Sequence, residues 1–432
     1  DEISKTYELS KEIKDKQELR RSFMYPLLPK KDNGKKKIAW VIPHPGKGSG
    51  GHRTIIQNVN ALIRHGYECD IYSEAPADVE DNTVARLIDE YYEPCAAKVY
   101  AGFTHQEHYD LLFATGWQVL NYIKCMDADK IAYFIQDYEP WFFPMGNEYL
   151  MIEDSYRQGY SPITIGRWLS SIMENQFSTP SQHFDFCADL NVYKPLKNIQ
   201  KENAICYVLQ PEKPRRGTQL ALQALKIVKT KRPDIKIYLY GSNVKVDIPF
   251  EATELGIIPI SECNALYNRC KLGLCFSASN PSRIPFEMMA AGLPVVELYR
   301  ENNLYDLPDK GVLLAESSPV SIASAILQLI DDQNKLNEMS SFGYTYMQNY
   351  PLEKGFAQFV RAVDNLMLKV TIAQEPVVQL YNHPIVKAEN SFRKECEELL
   401  KPSIVIPKKT LKQRVKNRTV RTLKKIYHKI KK

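Results

Sequence analysis

The sequence predicts an α/β protein made of two doubly wound, Rossmann-like domains. A chain of 432 residues is too long for one compact core and is expected to form at least two domains. Short apolar segments of the buried parallel-strand type recur, and polar loops and helical patterns follow them. This order begins at Ile38 and begins afresh at Ala204, after a polar stretch at 196–203 that we interpret as a linker.

The first strand, at 38–42, is followed by a glycine loop and an amphipathic helix. Gly46, Gly48 and Gly51 have the spacing of a dinucleotide-binding loop, and Glu74 ends the next predicted strand, where such a site needs an acid. The loop is long and contains two prolines, which disfavours a tight turn around a pyrophosphate. A strand–helix turn without any ligand is a second interpretation.

A strand at 131–135 leads directly into the sequence Gln-Asp-Tyr-Glu-Pro-Trp-Phe-Phe at 136–143. Open α/β sheets bind ligands at the carboxyl ends of their strands, which is where these groups lie. Gln136, Asp137 and Glu139 suit the hydroxyl groups of a sugar, and the aromatic rings suit its C–H face. The alternative is an aromatic loop packed beneath a domain interface, in which Asp137 caps a turn.

A loop with three cations follows the first strand of the second half, at 204–209. Lys213, Arg215 and Arg216 precede a predicted helix at 218–229. A departing diphosphate needs positive charge in a dry cleft, and arginine is a good bidentate partner for it. A merely solvated turn is the alternative.

The stretch 276–297 (FSASNPSRIPFEMMAAGLPVVE) contains a strand end, a polar loop, a helix that opens at Pro285 and a second strand. Gly292 just past the helix follows the usual placement of proline and glycine at helix ends. A helix that starts after a strand presents free N–H groups and partial positive charge, which favours phosphate. The predicted nucleotide-binding positions of this stretch are Ser282, Arg283, Ile284 and Glu287.

The same stretch resembles the C-terminal signature of retaining family-4 glycosyltransferases. In that signature, two glutamates eight residues apart precede a small-residue helix and the sequence G-x-P-V-V. Glu287 and the residues at 292–296 match it, whereas Ser279 stands where the first glutamate is expected. The loss of a carboxylate that contacts the donor sugar fits a 6-deoxy sugar better than glucose or mannose. The chain resembles the rhamnosyltransferases of bacterial S-layer glycan assembly, and the resemblance covers residues 35–370.

The resemblance implies the GT-B architecture, with two Rossmann-like domains facing each other across a cleft. The boundaries expected from it are an N-terminal helical arm at 1–30, an acceptor-binding domain at 31–196, a nucleotide-sugar-binding domain at 197–350, a closing helix packed back on the first domain at 351–400, and a basic amphipathic tail at 401–432.

The resemblance also implies roles for individual residues. The donor phosphates and the acceptor are expected near Gly50 and Gly51, and the base is expected against Leu255 and Gly256. The predicted catalytic residues are Asp137, Glu287 and Arg216. The predicted nucleotide contacts are Leu255, Gly256, Lys213, Arg215, Arg216, Ser282, Arg283, Ile284 and Glu287. The predicted donor-sugar and acceptor contacts are Gly50, Gly51, Gln136, Asp137, Glu139 and Ser279.

The activity that the resemblance implies is transfer of L-rhamnose from dTDP-L-rhamnose, with retention, to a lipid-linked or growing rhamnan chain. No metal is expected, because fixed cations stabilise the diphosphate and the sequence has no cluster of metal ligands. One rival is a nucleotide-sugar epimerase, or another GT-B enzyme that uses a UDP- or GDP-sugar. The other rival is a binding module in which Ser279 marks a lost active site.

Cysteine usage and charge bear on the location of the protein. Nine scattered cysteines without a C-x-x-C pair argue for a reducing cytoplasm, and no apolar run reaches transmembrane length. Residues 408–432 contain twelve Lys or Arg and no acid, and their apolar residues have helical spacing. This pattern favours a helix on an anionic membrane surface, and hence a protein on the inner face of the cell membrane.

Two other interpretations of the tail remain. A solvated basic tail needs no partner. Nucleic-acid binding is disfavoured, because the tail lacks the interleaved aromatic residues that stack on bases.

Overall fold

The computed structural model describes residues 36–103, 107–368 and 377–400. The predicted arm at 1–30 and tail at 401–432 lie outside these ranges. Each domain is built on one parallel sheet. The seven strands of the first sheet, in chain order, are β1 (Lys37–Ile42), β2 (Glu68–Ser73), β3 (Lys98–Ala101), β5 (Leu111–Ala114), β7 (Ile131–Ile135), β8 (Ser161–Ile165) and β9 (Gln182–Phe184). A separate parallel pair is formed by β4 (His108–Tyr109) and β6 (Asp127–Ala128).

The spatial order in the first sheet is β3-β2-β1-β5-β7-β8-β9, and all pairs are parallel. Its helices are α1 (Gly50–His65), α2 (Asp81–Tyr91), α3 (Leu120–Ile123), α4 (Asn147–Ser155) and α5 (Arg167–Phe177).

Strand β1 lies in the middle of this sheet and is buried on both faces. Trp40 is fully buried and stacks on Phe113 of β5 at a ring distance of 4.2 Å. Phe134 of β7 and Phe359 from the C-terminal part of the chain complete this aromatic core. The continuous apolar sequence of β1 is therefore explained by helices that cover both faces of a parallel sheet.

The second domain has a six-stranded parallel sheet. Its strands are β10 (Ala204–Val208), β11 (Lys236–Tyr240), β12 (Thr253–Gly256), β13 (Leu272–Leu274), β14 (Val295–Leu298) and β15 (Val312–Ala315), in the spatial order β12-β11-β10-β13-β14-β15. Its helices are α6 (Thr218–Lys231), α7 (Ile260–Arg269), α8 (Ile284–Ala290), α9 (Glu301–Leu304), α10 (Pro319–Ile330) and α11 (Gln333–Met347).

Both sheets have a topological switch point at which the direction of strand addition reverses. In the first sheet, β1 lies between β2 and β5; in the second, β10 lies between β11 and β13. The loops after two strands flanking a switch point diverge and leave a crevice at the carboxyl edge. The glycine loop after β1, the cation loop after β10 and the loop after β13 all lie at these positions.

The last described helices, α12 (Leu352–Met367) and α13 (Asn390–Leu400), contact different domains. On α12, Asp364 accepts a hydrogen bond from the Tyr67 hydroxyl of the first domain at 2.6 Å. On α13, the Leu399 carbonyl accepts from Lys226 Nζ of the second domain at 2.8 Å.

The prediction for residues 351–400 is therefore wrong in part. They do not pack on the first domain as one segment, because the buried side of α13 faces α6 and α10. Residues 390–400 are helical, and Cys396 is fully buried. Charged residues dominate the sequence of α13, which conceals its narrow apolar face. None of the helices in the described part of the chain combines the length and the apolar character of a bilayer-spanning helix.

Candidate active site between the two domains

Three cations cluster in the loop that follows β10, at the switch point of the second sheet. Lys213, Arg215 and Arg216 lie in and beside a single 3-10 turn. Gly217 ends the turn in the left-handed region at φ +61°, and a Cβ added there would lie 3.5 Å from Phe276. Glycine at this position therefore lets the turn lead directly into α6 while the loop stays close to the end of β13.

The charge of this cluster is only partly compensated. Burial and the neighbouring arginines lower the pKa of Lys213, and burial also lowers the pKa of Arg215. Within the described residues, the only carboxylate within 4.0 Å of the three cations is that of Asp137, whose Oδ2 lies 3.5 Å from Arg215 Nε. The Arg215 guanidinium also lies over the Phe142 ring, 4.1 Å from its centroid. Partly buried cations with so little compensation favour the binding of an anion.

Arg216 joins the cation loop to the loop that follows β13. Its Nη1 donates a hydrogen bond to Ser277 Oγ at 2.6 Å, and its carbonyl accepts from the Tyr207 hydroxyl at 2.9 Å. The loop after β13 therefore orients the guanidinium of Arg216, and β10 holds its backbone.

Asp137 lies where the first domain meets the second. Its Oδ1 accepts hydrogen bonds from the backbone N–H of Tyr138 at 2.9 Å and of Asn280 at 2.8 Å. The Asn280 side chain donates to the carbonyls of Gln136 at 3.0 Å and Ile165 at 3.1 Å. Asp137 thus has the turn-capping and interface contacts that we considered for it, and it also faces Arg215.

Glu139 has its contacts within the first domain. Its Oε2 accepts a hydrogen bond from the Trp117 backbone N–H at 3.0 Å. Burial raises the pKa of Glu139 to about 7, and the Trp117 N–H partly opposes this effect. The Glu139 carboxylate, at the start of a 3-10 turn, therefore faces the loop after β5.

Gly50 and Gly51 form the first turn of α1, which is capped by Ser49. A Cβ added at Gly51 would lie 3.5 Å from the Gln136 side-chain amide, so the helix start closely approaches the end of β7. The intervening loop at 43–49 is longer than a dinucleotide-binding turn, as its sequence indicated.

The His52 side chain orders this glycine loop, a role that its sequence position did not reveal. Its Nδ1 lies 2.8 Å from Ser49 Oγ and its Nε2 lies 3.0 Å from the Pro43 carbonyl. The ring stacks on Tyr92, whose hydroxyl donates to the Gly46 carbonyl at 2.7 Å. Because a carbonyl only accepts, Nε2 carries the proton and Nδ1 accepts from the serine hydroxyl.

Glu287 lies on α8 at the junction of the two domains. Burial raises the pKa of its carboxyl, whereas the charges of Arg283 and of Arg53 on α1, together with the Tyr193 hydroxyl, oppose this effect. The Arg283 guanidinium donates to Gln57 Oε1 of the first domain at 2.7 Å. The carboxylate is thus placed between cations that belong to both domains.

The start of α8 is less open than its sequence predicted. The Ile284 N–H donates to Ser282 Oγ at 3.3 Å, and the same hydroxyl lies 3.2 Å from Cys275 Sγ. This long hydrogen bond is weak. A phosphate at Ile284 would therefore replace an intramolecular partner.

Leu255 and Gly256 end the edge strand β12 at the same carboxyl edge as the cation loop. Gly256 has φ +66°, and a Cβ added there would lie 2.5 Å from Asn243 Oδ1. That oxygen accepts from the Ile257 N–H at 3.1 Å. Glycine is therefore required for this close approach of the Asn243 side chain.

Four buried polar atoms without a hydrogen-bond partner in the described chain lie in the loop after β13, on β14 and on α9. They are Ser279 Oγ, Asn280 Oδ1, Glu297 Oε2 and Asn302 Oδ1. Each unsatisfied buried group costs about 1–3 kcal/mol. Their concentration at one edge indicates a place where a polar ligand or water completes the hydrogen bonding. Among the described residues, no three His, Cys, Asp or Glu side chains are grouped closely enough to hold a metal ion.

Solved structures of low sequence identity have the same arrangement of domains. HepE of Anabaena, solved in complex with UDP-glucose, matches with a TM-score of 0.58 and 16% identity over 76% of this chain and 99% of HepE. A glycosyltransferase from Rickettsia africae matches with a TM-score of 0.55 and 12% identity over 78% of this chain and all of that chain. The chain has the GT-B fold. A Listeria monocytogenes protein assigned as a UDP-N-acetylglucosamine 2-epimerase also matches, with a TM-score of 0.53, 10% identity, and coverage of 80% of this chain and 100% of that one.

Sequence comparison adds two relationships to the GT-B fold. The family model described as WsaF, C-terminal domain, matches residues 203–327, which hold the cation loop and α8. The O-antigen biosynthesis protein RfbC of Myxococcus xanthus is 26% identical over 316 residues, which are 68% of this chain and 24% of RfbC. The chain therefore spans about a quarter of the length of the curated relative that it matches.

Other residues at the junction of the GT-B domains escaped the sequence analysis. Asp306 of the second domain accepts hydrogen bonds from the N–H groups of Arg167 at 2.8 Å and Trp168 at 3.3 Å, and so caps α5 of the first domain. Phe186 and Phe286 stack nearby with ring centroids 4.9 Å apart. One sequence signal was available, because α5 has glycine at its N-cap and therefore needs an acceptor from elsewhere.

Proposed function

We propose that this protein is a retaining glycosyltransferase that transfers L-rhamnose from dTDP-L-rhamnose to a polysaccharide acceptor in cell-surface glycan biosynthesis. The observation that carries the proposal is the cluster of Lys213, Arg215 and Arg216, which has one carboxylate neighbour at the switch point of the second sheet. A diphosphate is the anion that this number of cations and this position suit best.

The similar proteins support a glycosyltransferase that uses a nucleotide sugar. HepE was solved with UDP-glucose, and RfbC is described as an O-antigen biosynthesis protein. A nucleotide-sugar donor and a polysaccharide product are consistent with both. Two observations support rhamnose as the transferred sugar and an S-layer-type glycan as the product. They are the resemblance of the stretch around Glu287 to the family-4 signature and the match to the WsaF C-terminal domain.

The chemistry assigned to the site follows from its charges. As the bond between the anomeric carbon and the diphosphate breaks, Arg216 and Lys213 stabilise the negative charge that develops on the leaving oxygen. The acceptor hydroxyl forms the new bond to the anomeric carbon, and its proton passes to the departing diphosphate oxygen. Asp137 orients the transferred sugar and supports the positive charge that develops on it. Glu287 accepts a hydrogen bond from the free 3′-hydroxyl of the nucleotide's deoxyribose.

The donor sugar is proposed from the residue at position 279. Ser279 is almost fully buried, and its hydroxyl has no hydrogen-bond partner in the described chain. A serine reaches less far than a glutamate and accepts fewer hydrogen bonds, so a sugar with one hydroxyl fewer fits better. L-rhamnose, a 6-deoxy sugar, meets this condition.

Location and cofactor use are also proposals. The basic tail at 408–432 is proposed to bind an anionic membrane surface, which would bring the enzyme to a lipid-linked acceptor on the cytoplasmic face. The three fixed cations are proposed to do the work of a metal ion at the diphosphate.

The rival functions share the fold, as the Listeria protein illustrates. They are separated by the products formed from dTDP-L-rhamnose, or from UDP- and GDP-sugars, with and without a rhamnan acceptor. A glycosyltransferase releases nucleoside diphosphate and extends the glycan in proportion to the acceptor present. An epimerase converts the donor without an acceptor, and a binding module consumes none.

A further inference from the structure

A group of fully buried polar side chains lies beneath the cation loop and binds the backbone N–H and carbonyl of Ser277. The Ser277 hydroxyl is bound by Arg216. Glu297 Oε1 accepts from the Ser277 N–H at 2.8 Å, and the Asn302 and Asn303 side-chain amides donate to the Ser277 carbonyl at 3.1 and 3.4 Å. The Ser277 hydroxyl accepts from Arg216 Nη1 at 2.6 Å. All three flanking side chains are 0% exposed.

Glu297 is the ionisable member of this group. It lies on β14, next to β13, and Ser277 belongs to the loop that follows β13. The same Oε1 also accepts from the Leu298 N–H at 2.8 Å. Its Oε2 has no hydrogen-bond partner within the described residues. A carboxyl group is expensive to bury, and an apolar residue of similar size would fill this position at lower cost. A role beyond filling space is therefore indicated.

The geometry defines a short path from Glu297 to the cation loop. Glu297 fixes the backbone of Ser277, and Ser277 Oγ is the hydrogen-bond partner of the Arg216 guanidinium. We propose that Glu297 is a positioning residue that, acting through Ser277, holds the Arg216 guanidinium in place for the donor diphosphate. This inference rests on the proposed function, because it takes Arg216 as a diphosphate contact.

The titration of Glu297 supports this inference. Burial raises its pKa to about 8, and the Leu298 and Ser277 N–H groups and Arg216 oppose this effect. The other titratable groups that face it are Tyr207 of β10 and Cys275, which follows β13. Near pH 7 the group is mainly protonated, so Arg216 keeps its full charge for the diphosphate. Above pH 8 the ionised Glu297 attracts Arg216 and competes with the ligand.

The test measures the affinities of dTDP and thymidine for wild type, Glu297→Ala, Glu297→Gln and Ser277→Ala, with UDP and uridine as a second pair. Glu297→Ala and Ser277→Ala are each expected to lower the affinity for dTDP about tenfold and the affinity for thymidine less than about twofold. Glu297→Gln resembles the protonated side chain, so its dTDP affinity is expected to stay within about threefold of that of wild type at pH 7. From pH 7 to 9 the dTDP affinity of wild type falls relative to that of Glu297→Gln.

A double-mutant cycle distinguishes positioning from general support of the fold. If Glu297 acts through Arg216, its loss matters little once Arg216 is gone. The double variant Arg216→Ala/Glu297→Ala is therefore expected to bind dTDP less than about threefold more weakly than Arg216→Ala alone. Effects that multiply, or an equal loss of dTDP and thymidine affinity in Ser277→Ala, would overturn the inference. Thermal unfolding checks each variant, and Ser277→Ala and Glu297→Gln decide the matter where Glu297→Ala does not fold. Wild type that binds none of dTDP, UDP and GDP would overturn the proposed function, and the inference with it.

Discussion

The backbone N–H of Asn280 donates a hydrogen bond to Asp137 Oδ1 across the domain boundary, at 2.8 Å. The Asn280 side chain reaches two further carbonyls of the first domain, those of Gln136 and Ile165. The loop of the second domain that follows β13 is therefore tied to the carboxyl edge of the first sheet. This contact closes the candidate site and fixes Asp137 beside Arg215.

Asp137→Asn is expected to lower turnover much more than nucleotide affinity. Asparagine keeps the Oδ1 acceptor for Asn280 but removes the negative charge that faces Arg215 and the transferred sugar. We expect kcat to fall by about a hundredfold, since electrostatic support of the transition state is lost. The affinity for dTDP should change by less than about threefold, or become tighter, because Arg215 gains an uncompensated charge. Steady-state kinetics and calorimetry measure the two quantities.

The matched control is Asp154→Asn, at an exposed position of α4. It should leave both quantities unchanged. If dTDP affinity falls in step with turnover in Asp137→Asn, Asp137 does not belong to the sugar subsite and instead supports the closed arrangement of the domains.

Glu287→Ala is expected to weaken nucleoside diphosphate binding by about tenfold, the effect of losing hydrogen bonds to a carboxylate. The reason is its position on α8 between Arg283 and Arg53, where it is proposed to bind the 3′-hydroxyl of the deoxyribose. Wild type should bind dTDP more tightly than 2′,3′-dideoxythymidine diphosphate, and the variant should lose this preference. Glu338→Ala on the exposed side of α11 is the control. An undiminished preference for dTDP in Glu287→Ala would exclude Glu287 as the contact of the nucleotide's sugar ring.

The cap that Asp306 provides across the domain boundary predicts a pH dependence of stability. Burial raises the pKa of Asp306 from 3.8 to about 7, although the hydrogen bonds from the N–H groups of Arg167 and Trp168 lower it. Between about pH 4 and 7 the folded state holds a proton on this group that the unfolded state has lost. The contribution of Asp306 to the unfolding free energy is therefore present at low pH and decreases as pH rises, by at most about 1.4 kcal/mol per pH unit.

Asp306→Asn removes this titration and keeps one acceptor for the α5 N-terminus. The difference in unfolding free energy, wild type minus Asp306→Asn, should fall between about pH 4 and 7, as measured by urea titrations at each pH. A difference that is constant or rises over this range would show that Asp306 is ionised in the folded protein.

The fold was predictable from the sequence to the extent that it depends on local pattern. Continuous apolar runs predicted β1 and β10 within a residue or two, and Pro285 with Gly292 predicted both ends of α8. The position of the cation loop followed from the same pattern, because parallel strands end at a common edge.

The contacts within the site were not predictable in the same way. Asn280, Asp306 and Glu297 take their roles from residues far away in the chain, and no spacing in the sequence encodes those distances. Glu139 shows the reverse problem. Its position at a strand end suited a ligand contact, but the turn that it begins directs the carboxylate to Trp117.

The tail at 408–432 is expected to bind anionic membranes. Deletion of these residues should abolish sedimentation with vesicles that contain phosphatidylglycerol, while transfer to a soluble acceptor continues. Replacing Leu423, Ile426 and Ile430 by serine keeps every cation and should also weaken binding, because the tail loses apolar side chains for the membrane surface. Binding that persists after the deletion would assign membrane contact to another part of the chain, and lost activity on the soluble acceptor would make the tail structural.

The central claim is that the crevice between the cation loop and α8 holds the diphosphate of a nucleotide sugar. Calorimetric titration with dTDP, UDP and GDP, followed by dTDP-L-rhamnose, tests this claim most directly. The account predicts that dTDP binds most tightly, that its rhamnose conjugate binds as well, and that Arg216→Ala weakens dTDP by about tenfold or more. Preference for UDP or GDP would keep the site and discard rhamnose. Absence of binding by all three nucleotides, or equal binding by Arg216→Ala, would contradict the claim.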